Sequence, residues 1–377
     1  MIQRFFHPVG QGAFYSERHR SGNINIVYDC GTSFGGVKRM SKVVSQSFCK
    51  EDTIHALFIS HFDYDHVSLI DELRATVGKI ERVVIPKLQK NEKVLLAIIY
   101  KSLNNARLET LVTDPQTFFG NETQIIEVEV GEEEGIGEYV PIDLLNSGSD
   151  LNEIPSGTPL AVGKHLEWVY IPYNHVYKNR HDDFIEQLDN HMIDVEELRN
   201  DPECLLEGTV PSVDGKGTTK VKNVVKNIYK RLPGGINENS MFLYSGPILN
   251  APHGQRLYLD YWHPHFCYDR RYCLFHHDVR VACLYTGDGN LKKVNIRTIY
   301  KPYWDLIGTI QIPHHGSLDS FNSSSLRPRP FLCPISVGEK NSYGHPSAKV
   351  ISEINNYYSY PILVTDEVSS LFVEIIY

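Results

Sequence analysis

The amino-acid sequence predicts an α/β fold in which two β-sheets lie sandwiched between helices. Apolar runs of strand length alternate with amphipathic stretches of helix length, and β-rich segments flank that alternation at both ends. Several of the predicted strands also end in histidine or aspartate, so their C-terminal edges gather polar donors.

Taken in order, residues 2–6 and 23–29 read as strands flanking a turn at Gly10, Gln11 and Gly12, the second with Ile24, Ile26 and Tyr28 in alternation. Asp29 closes that strand as a cap before Gly31. Residues 37–48 read as a helix, and the apolar run 56–59 as a buried strand because it has strand length and turns polar at once. The spacing predicts a helix over 67–77, beginning just after His66. Residues 61–66 then sit at a strand-to-helix junction, where backbone N–H groups favour anions. Residues 80–86 and 123–130 read as strands with a helix over 93–104 between them, and Glu132, Glu133 and Glu134 as a solvated loop. A strand over 166–170 runs into Pro172, Tyr173, Asn174 and His175. Residues 181–199 are acidic and amphipathic, hence helical. Lys222, Lys226 and Lys230 recur at intervals of four, which places them on one helical face, and no acidic residue interrupts 216–231. That face is either an ordinary solvated surface or a track for a phosphate backbone. Strands follow at 281–285, before Ile312, at 331–336, 361–365 and 370–376, with a helix over 347–356.

The chemistry concentrates after the strand at 56–59. His61, Asp63, Asp65 and His66 fall within six positions, and alternation with Phe62 and Tyr64 turns the first three to one side of an extended segment. Two imidazoles and two carboxylates suit zinc or manganese, and are a costly set to bury without metal. The strand at 281–285 leads into Thr286, Gly287 and Asp288. Ile312 and Pro313 lead into His314, His315, Gly316 and Ser317, and the strand near Ile335 leads on to Gly344, His345 and Pro346.

Together these stretches resemble the metallo-β-lactamase superfamily, specifically the hydrolase domain of ComEC-like DNA-uptake competence proteins and their stand-alone relatives. The resemblance takes in Val9 to Gly12, Tyr28 to Gly31, the motif from His61 to His66, Asn239 and Ser240, Thr286 to Asp288, His314 to Ser317, Gly344 to Pro346, and Thr365 and Asp366. It lapses over two central stretches, and Ala13 stands where the family usually carries an acidic residue. It implies a four-layer αββα sandwich, with Asp29 orienting ligands beside a binuclear site. The implied assignment gives His61, Asp63 and His314 to one ion and Asp65, His66 and His345 to the other, with Asp288 bridging. His315 is the alternative to His314, and His345 is alternatively a proton donor or a phosphate contact. Many superfamily members place a further histidine ligand between the first motif and the bridging aspartate; His175 is the candidate by position, and reads rather as a loop residue.

Composition sets limits on this reading. At 377 residues and 41% hydrophobic content the chain can bury a substantial core. No window approaches a membrane span, the first residues lack the apolar stretch of a signal peptide, and seven scattered cysteines suit a reducing compartment, so a cytoplasmic, membrane-free protein is expected. A formal charge of −9 argues against avid general binding of nucleic acid, although bound divalent cations offset it where a phosphate must sit. With no repeats and no Gly/Ser linker, one domain over 1–377 is expected, with insertions at about 176–235 and 250–280. The second holds His263, His265, Cys267, Cys273, His276 and His277, either a structural zinc site or part of an aromatic-rich hairpin.

The expected function is a hydrolase with two divalent ions, zinc or manganese, in which a metal-bound hydroxide attacks a phosphodiester, with DNA the substrate by resemblance. Asp65 orients the nucleophile, His315 or His345 protonates the leaving oxygen, Ser317 binds phosphate, and Lys222, Lys226 and Lys230 bind the substrate backbone. Two other classes use the same residues: a small-molecule hydrolase acting on a cyclic nucleotide, ester or lactone, and a partner-binding module with a vestigial metal site.

Overall fold

The structure, a computed structural model, describes residues 1–33, 36–131, 135–137, 139–146, 148, 151–163, 167–176, 180–212, 217–231, 239–249, 259–262, 280–327, 329–342 and 344–377. The chain begins with β1 (Ile2–Phe6), β2 (Phe14–His19), β3 (Ile24–Cys30), α1 (Val37–Ser47) and β4 (Thr53–Phe58). Two short helices, α2 (Tyr64–Val67) and α3 (Ile70–Thr76), lead to β5 (Lys79–Ile80) and β6 (Arg82–Pro86). Three helices follow, α4 (Lys90–Ser102), α5 (Ala106–Thr113) and α6 (Pro115–Phe119), then β7 (Gln124–Val128), β8 (Ile142–Asp143), β9 (Glu153–Ile154), β10 (Leu160–Val162) and β11 (Trp168–Val176). Next come α7 (Arg180–Asn190), α8 (Val195–Asn200), α9 (Pro202–Glu207), β12 (Thr209–Pro211), β13 (Thr218–Lys220) and α10 (Val221–Arg231). The last part holds β14 (Asn239–Pro247), β15 (Leu259–Trp262), β16 (Ala282–Tyr285), α11 (Ile296–Ile299), β17 (Ile307–Ile310), β18 (Leu332–Ser336), α12 (Ala348–Asn356), β19 (Tyr360–Val364) and β20 (Phe372–Ile376).

The chain divides into two compact units. The first comprises Met1–Pro86, Gln124–His175 and Ser240–Tyr377, and the second Lys87–Thr123 and Val176–Asn239. The first unit holds two sheets. One runs β15-β20-β1-β2-β3-β4-β6-β7-β9, with β5 beside β4, and the other β19-β18-β17-β16-β14-β11-β10-β8. Their inner faces meet in one apolar cluster containing Phe6, Tyr28, Phe58, Tyr170, Leu243, Tyr285 and Ile362. All seven residues of β3 are buried, as expected of a central strand covered on both faces. The expected αββα architecture is the one observed: α1 buries Met40 and Val44, α3 buries Ile70 and Leu73, and α12 buries Val350 and Ile354.

Strand direction positions the site. β3, β4, β6 and β7 are parallel neighbours in the first sheet, and β16, β17, β18 and β19 in the second. Parallel strands share a C-terminal edge, and loops leaving such an edge are where α/β proteins place their chemistry.

Several local expectations are corrected. The helix expected just after His66 begins at Tyr64, so Asp65 and His66 lie on α2 and the extended segment ends at Asp63, in the extended region as the residue before the helix. One helix expected over 181–199 is two, α7 and α8, with Asp194 capping α8 through the Glu197 N–H at 2.9 Å. Strand β2 was not expected, because Glu17 and His19 break its apolar pattern. Both are buried, and Glu17 accepts from Arg4 Nε at 2.6 Å and from the hydroxyls of Ser245, Tyr170 and Tyr285 at 2.7, 2.8 and 2.9 Å. Arg4 also pairs with Glu374 of β20.

The second unit packs α10 through Val221, Val224, Val225, Ile228 and Tyr229, with Lys222 and Lys226 half-buried on the expected face. Lys222 Nζ donates to Asn104 Oδ1 at 2.5 Å within the same unit. The side chain of Lys230, the Glu132–Glu134 run and residues 263–279 with their histidines and cysteines lie outside the described residues.

Candidate metal centre

Backbone contacts place the metal-ligand loop before any side chain is considered. Gly12 and Gly31 lie flat against it. A Cβ at Gly31 would stand 2.5 Å from the carbonyl carbons of Asp65 and His66, and one at Gly12 would stand 2.9 Å from the Asp65 carbonyl oxygen. The Ala13 N–H donates to that same oxygen at 3.1 Å, and Gly31 N–H to the Ala13 carbonyl at 2.8 Å.

Asp29, at the end of β3, adopts a left-handed φ of 55° and is fully buried. Its Oδ1 accepts from the Ser60 N–H at 2.7 Å, and its Oδ2 from the Ser60 hydroxyl at 2.7 Å and from His66 Nδ1 at 2.8 Å. With its hydrogen given to Asp29, Ser60 Oγ accepts from His61 Nδ1 at 2.8 Å. His315 Nδ1 donates to the Ser336 carbonyl at 2.9 Å. Three histidines are thus fixed through Nδ1 and turn Nε2 inward, the arrangement that orients imidazole ligands in metal sites.

The inward atoms converge. Nε2 of His61 lies 3.4 Å from Asp63 Oδ2 and 3.9 Å from Asp288 Oδ2. Nε2 of His66 lies 3.1 Å from Asp288 Oδ1, and Nε2 of His315 lies 3.1 Å from Asp65 Oδ2. Among the described residues, two groups bring three donor atoms within 4.8 Å of one another: His61, His66 and Asp288, and Asp65, His66 and His315. Ligands on one tetrahedral ion, with bonds of about 2.0–2.1 Å, are about 3.3 Å apart. The closest of these spacings match that value. His61 Nε2 is buried and makes no hydrogen bond, although two carboxylates face it. Asp63 precedes α2 without capping it by its side chain. The donor set therefore fits divalent metal.

These groups interact strongly with one another, as expected of donors gathered to share a cation. Burial alone would lower the His66 pKa, yet Asp288 and Asp29 outweigh it and raise the value well above the ordinary one. His315 is likewise raised, burial being outweighed by Asp65 and Asp288. Burial would raise the carboxyl pKa of Asp288 and Asp65; the histidines hold both below the carboxylate range.

His315, expected as a proton donor or as an alternative ligand, is the histidine that reaches Asp65. His314 bonds Ser320 Oγ through Nδ1 at 3.1 Å, and its ring lies 5.8 Å from that of His345 and 6.2 Å from that of His315. His345 is half-buried, and Asn341 brackets it, its Oδ1 accepting from the His345 N–H at 3.0 Å and its Nδ2 donating to the His345 carbonyl at 2.6 Å. Ser317 is buried, and its hydroxyl accepts from the Asp319 N–H at 3.3 Å. His175 lies on β11, where a loop was expected. Lys222 and Lys226 belong to the second unit.

Sequence reasoning did not single out Ser60, Gln311 or Asn341. Gln311 supports the turn before Asp288, its Oε1 accepting from the Thr286 N–H at 2.8 Å and its Nε2 donating to the Gly287 carbonyl at 3.3 Å. A serine directly before the first ligand was the available signal; glutamine and asparagine offered none.

Residues 19–151 match the sequence profile of the Metallo-beta-lactamase superfamily. Members of that superfamily are generally hydrolases. No curated protein matches the chain. Among solved structures, the metallo-beta-lactamase fold protein YhfI from Bacillus subtilis is similar at 12% identity and a TM-score of 0.20, over 47% of this chain. The match spans 56% of that protein's length.

Proposed function

We propose that this chain is a metal-dependent phosphodiesterase that acts on DNA. The observation that carries the reading is His61 Nε2, buried, without a hydrogen bond, and facing the carboxylates of Asp63 and Asp288. A cation between them gives His61 Nε2 a partner for its lone pair beside both carboxylates. His61, Asp63, His66 and Asp288, together with Asp65 and His315, would hold two divalent ions, zinc or manganese, with His314 and His345 as the further ligands the sequence offers. Such ions supply an ionised water near neutral pH and offset charge on phosphoryl oxygens.

The remaining steps belong to the protein. Asp65, the more exposed carboxylate of the cluster, orients the attacking water. The Ser317 hydroxyl accepts from Asp319 and keeps its own hydrogen for a phosphate oxygen. Burial and nearby His315 lower the His345 pKa, which makes its imidazolium form a stronger acid, and that form would give its proton to the leaving oxygen. Lys222, Lys226 and Lys230 on α10 serve as contacts for a phosphate backbone, which makes polymer binding weaken with salt.

The test is incubation of the purified protein with linear and circular DNA, RNA and bis-p-nitrophenyl phosphate across added zinc, manganese and magnesium, beside Asp65→Ala and His66→Ala. Metal-dependent DNA cleavage lost in both variants is the expected result. Cleavage of the small diester alone makes the chain a small-molecule hydrolase. No cleavage, with no metal uptake, leaves only the partner-binding reading.

A further inference from the structure

A cavity of about 310 Å3 opens between the Gly10–Gln11 turn, the first turn of α1 and the turn from Gly338 to Asn341. Two of its lining residues, Gln11 and Asn341, adjoin residues next to the metal centre. Gln11 precedes Gly12, which packs on the Asp65 carbonyl, and Asn341 brackets His345. Gly338 N–H donates to Gln11 Oε1 at 3.3 Å, two residues beyond the Ser336 carbonyl that holds His315.

The charge lining this cavity opposes that of the whole chain. Arg39, Lys340 and Asp366 line it, two cations against one anion, on a protein whose formal charge is −9. Arg39 and Asp366 pair with each other, and the Asp366 carboxylate also accepts from the Glu339 N–H at 3.0 Å, so the charge left over in the lining is that of Lys340. Lys340 is exposed. Gly10, at a φ of 71°, keeps the wall thin: a Cβ there would stand 2.9 Å from the Asp366 Cβ. The first turn of α1 carries no acidic residue, and Gly36 has no side chain with which to cap it. The volume lies at the lower end of the range for small-ligand pockets.

We propose that this cavity is a second anion subsite, holding a phosphate group of the substrate next to the diester being cleaved, with Lys340 as its principal contact. The proposal rests on the phosphodiesterase reading for its substrate, but the cavity can be tested apart from it.

Two measurements decide the matter. In the first, the chelated, metal-free protein is titrated with inorganic phosphate, followed by 31P NMR, beside Lys340→Glu and Lys340→Arg. Saturable binding that weakens about tenfold or more in Lys340→Glu and persists in Lys340→Arg is expected. No saturable binding, or binding indifferent to the charge at 340, overturns the subsite. In the second, metal-loaded protein hydrolyses the thymidine dinucleotide TpT and its phosphorylated forms pTpT and TpTp. One phosphorylated form should show a kcat/KM preference over TpT of about tenfold, lost in Lys340→Glu. Phosphate binding without any preference would make this a site for free phosphate and refute the substrate role. Should no diester be hydrolysed at all, the phosphodiesterase reading fails while the titration still decides the cavity.

Discussion

His61, His66 and His315 each owe their orientation to a partner at Nδ1, and Asp29 with Ser60 supplies two of those partners. Replacing Asp29 by asparagine preserves the left-handed backbone, which asparagine tolerates, but removes the charge that favours the Nδ1–H form of His66. Asp29→Asn should weaken metal affinity about 10- to 100-fold, read by competition with a chromophoric chelator. Unchanged affinity would mean that His66 is not oriented from behind. A second prediction follows from the raised values at His66 and His315. In the metal-free protein both rings hold an extra proton to higher pH than a free imidazole does, and metal must displace it. Uptake at pH 7 should release about one to two protons, seen as a calorimetric heat that changes with the ionisation enthalpy of the buffer. Affinity should fall as pH falls, since protons and metal compete for the same Nε2 atoms. A heat independent of buffer would contradict this.

Elements deliver these residues through backbone conformations that few side chains adopt. His314, His315 and Gly316 are consecutive left-handed residues at φ of 49°, 55° and 79°, at a cost of about 1–3 kcal/mol for each of the two histidines. That strain, repeated after β17, aims His315 back across the sheet edge toward Asp65. The loop after β4 is fixed by contact instead, through Gly12 and Gly31. Gly31→Ala should therefore destabilise the metal-free protein by about 1–3 kcal/mol in urea unfolding and also lower its metal affinity, because the added methyl pushes on the Asp65 and His66 backbone. A variant of native stability with intact affinity would show that the loop has room to move. The sequence reading reached His61, His66 and Asp288 because ionisable residues at the end of an apolar run stand out. It did not reach Ser60 or Asn341, whose types are common on any surface and whose roles depend on contacts. Strand β2 escaped for a related reason: Glu17 and His19 look like surface residues until Arg4 of β1 and Tyr170 of β11 complete them. Helix α2 begins three residues earlier than the sequence suggests, at Tyr64, because a run of ligands reads equally well as an extended segment.

Across the whole first unit, the two sheets are joined by a buried polar network as well as by apolar contact. Arg4 lies between Glu17 and Glu374, and Tyr285 donates to Glu17 while its ring stacks on Tyr28 at 5.0 Å and on Tyr15 at 5.6 Å. Tyr285 ends the strand that leads to Asp288, so sheet packing and the metal centre share β16. Arg4→Met would leave two buried carboxylates without their cation and should cost about 3–5 kcal/mol, a loss that Glu17→Gln added to it should partly recover. The same region makes the fold sensitive to acid, and the signs can be assigned group by group. Burial lowers His7 to about 3 and His19 to about 4, from an ordinary 6.5. Both stay neutral when folded, so the stability they provide is complete above pH 6.5 and is lost as pH falls toward those values. Glu17 acts lower: burial would raise its pKa, Arg4 outweighs burial, and its contribution disappears below about pH 4.3. His19 Nε2 bonds the Tyr170 hydroxyl at 2.8 Å, and a glutamine amide there could donate in its place without titrating. Urea unfolding of the chelated wild type and of His19→Gln between pH 7 and pH 4 should therefore diverge, with the wild type losing about 3 kcal/mol more by pH 4. Taking the difference between the two proteins removes the opposite contribution of His66 and His315, whose raised values add stability below pH 6.5 in the absence of metal. Parallel curves would mean that His19 is protonated in the folded protein and that the polar seam between the sheets carries one more positive charge than Arg4 alone.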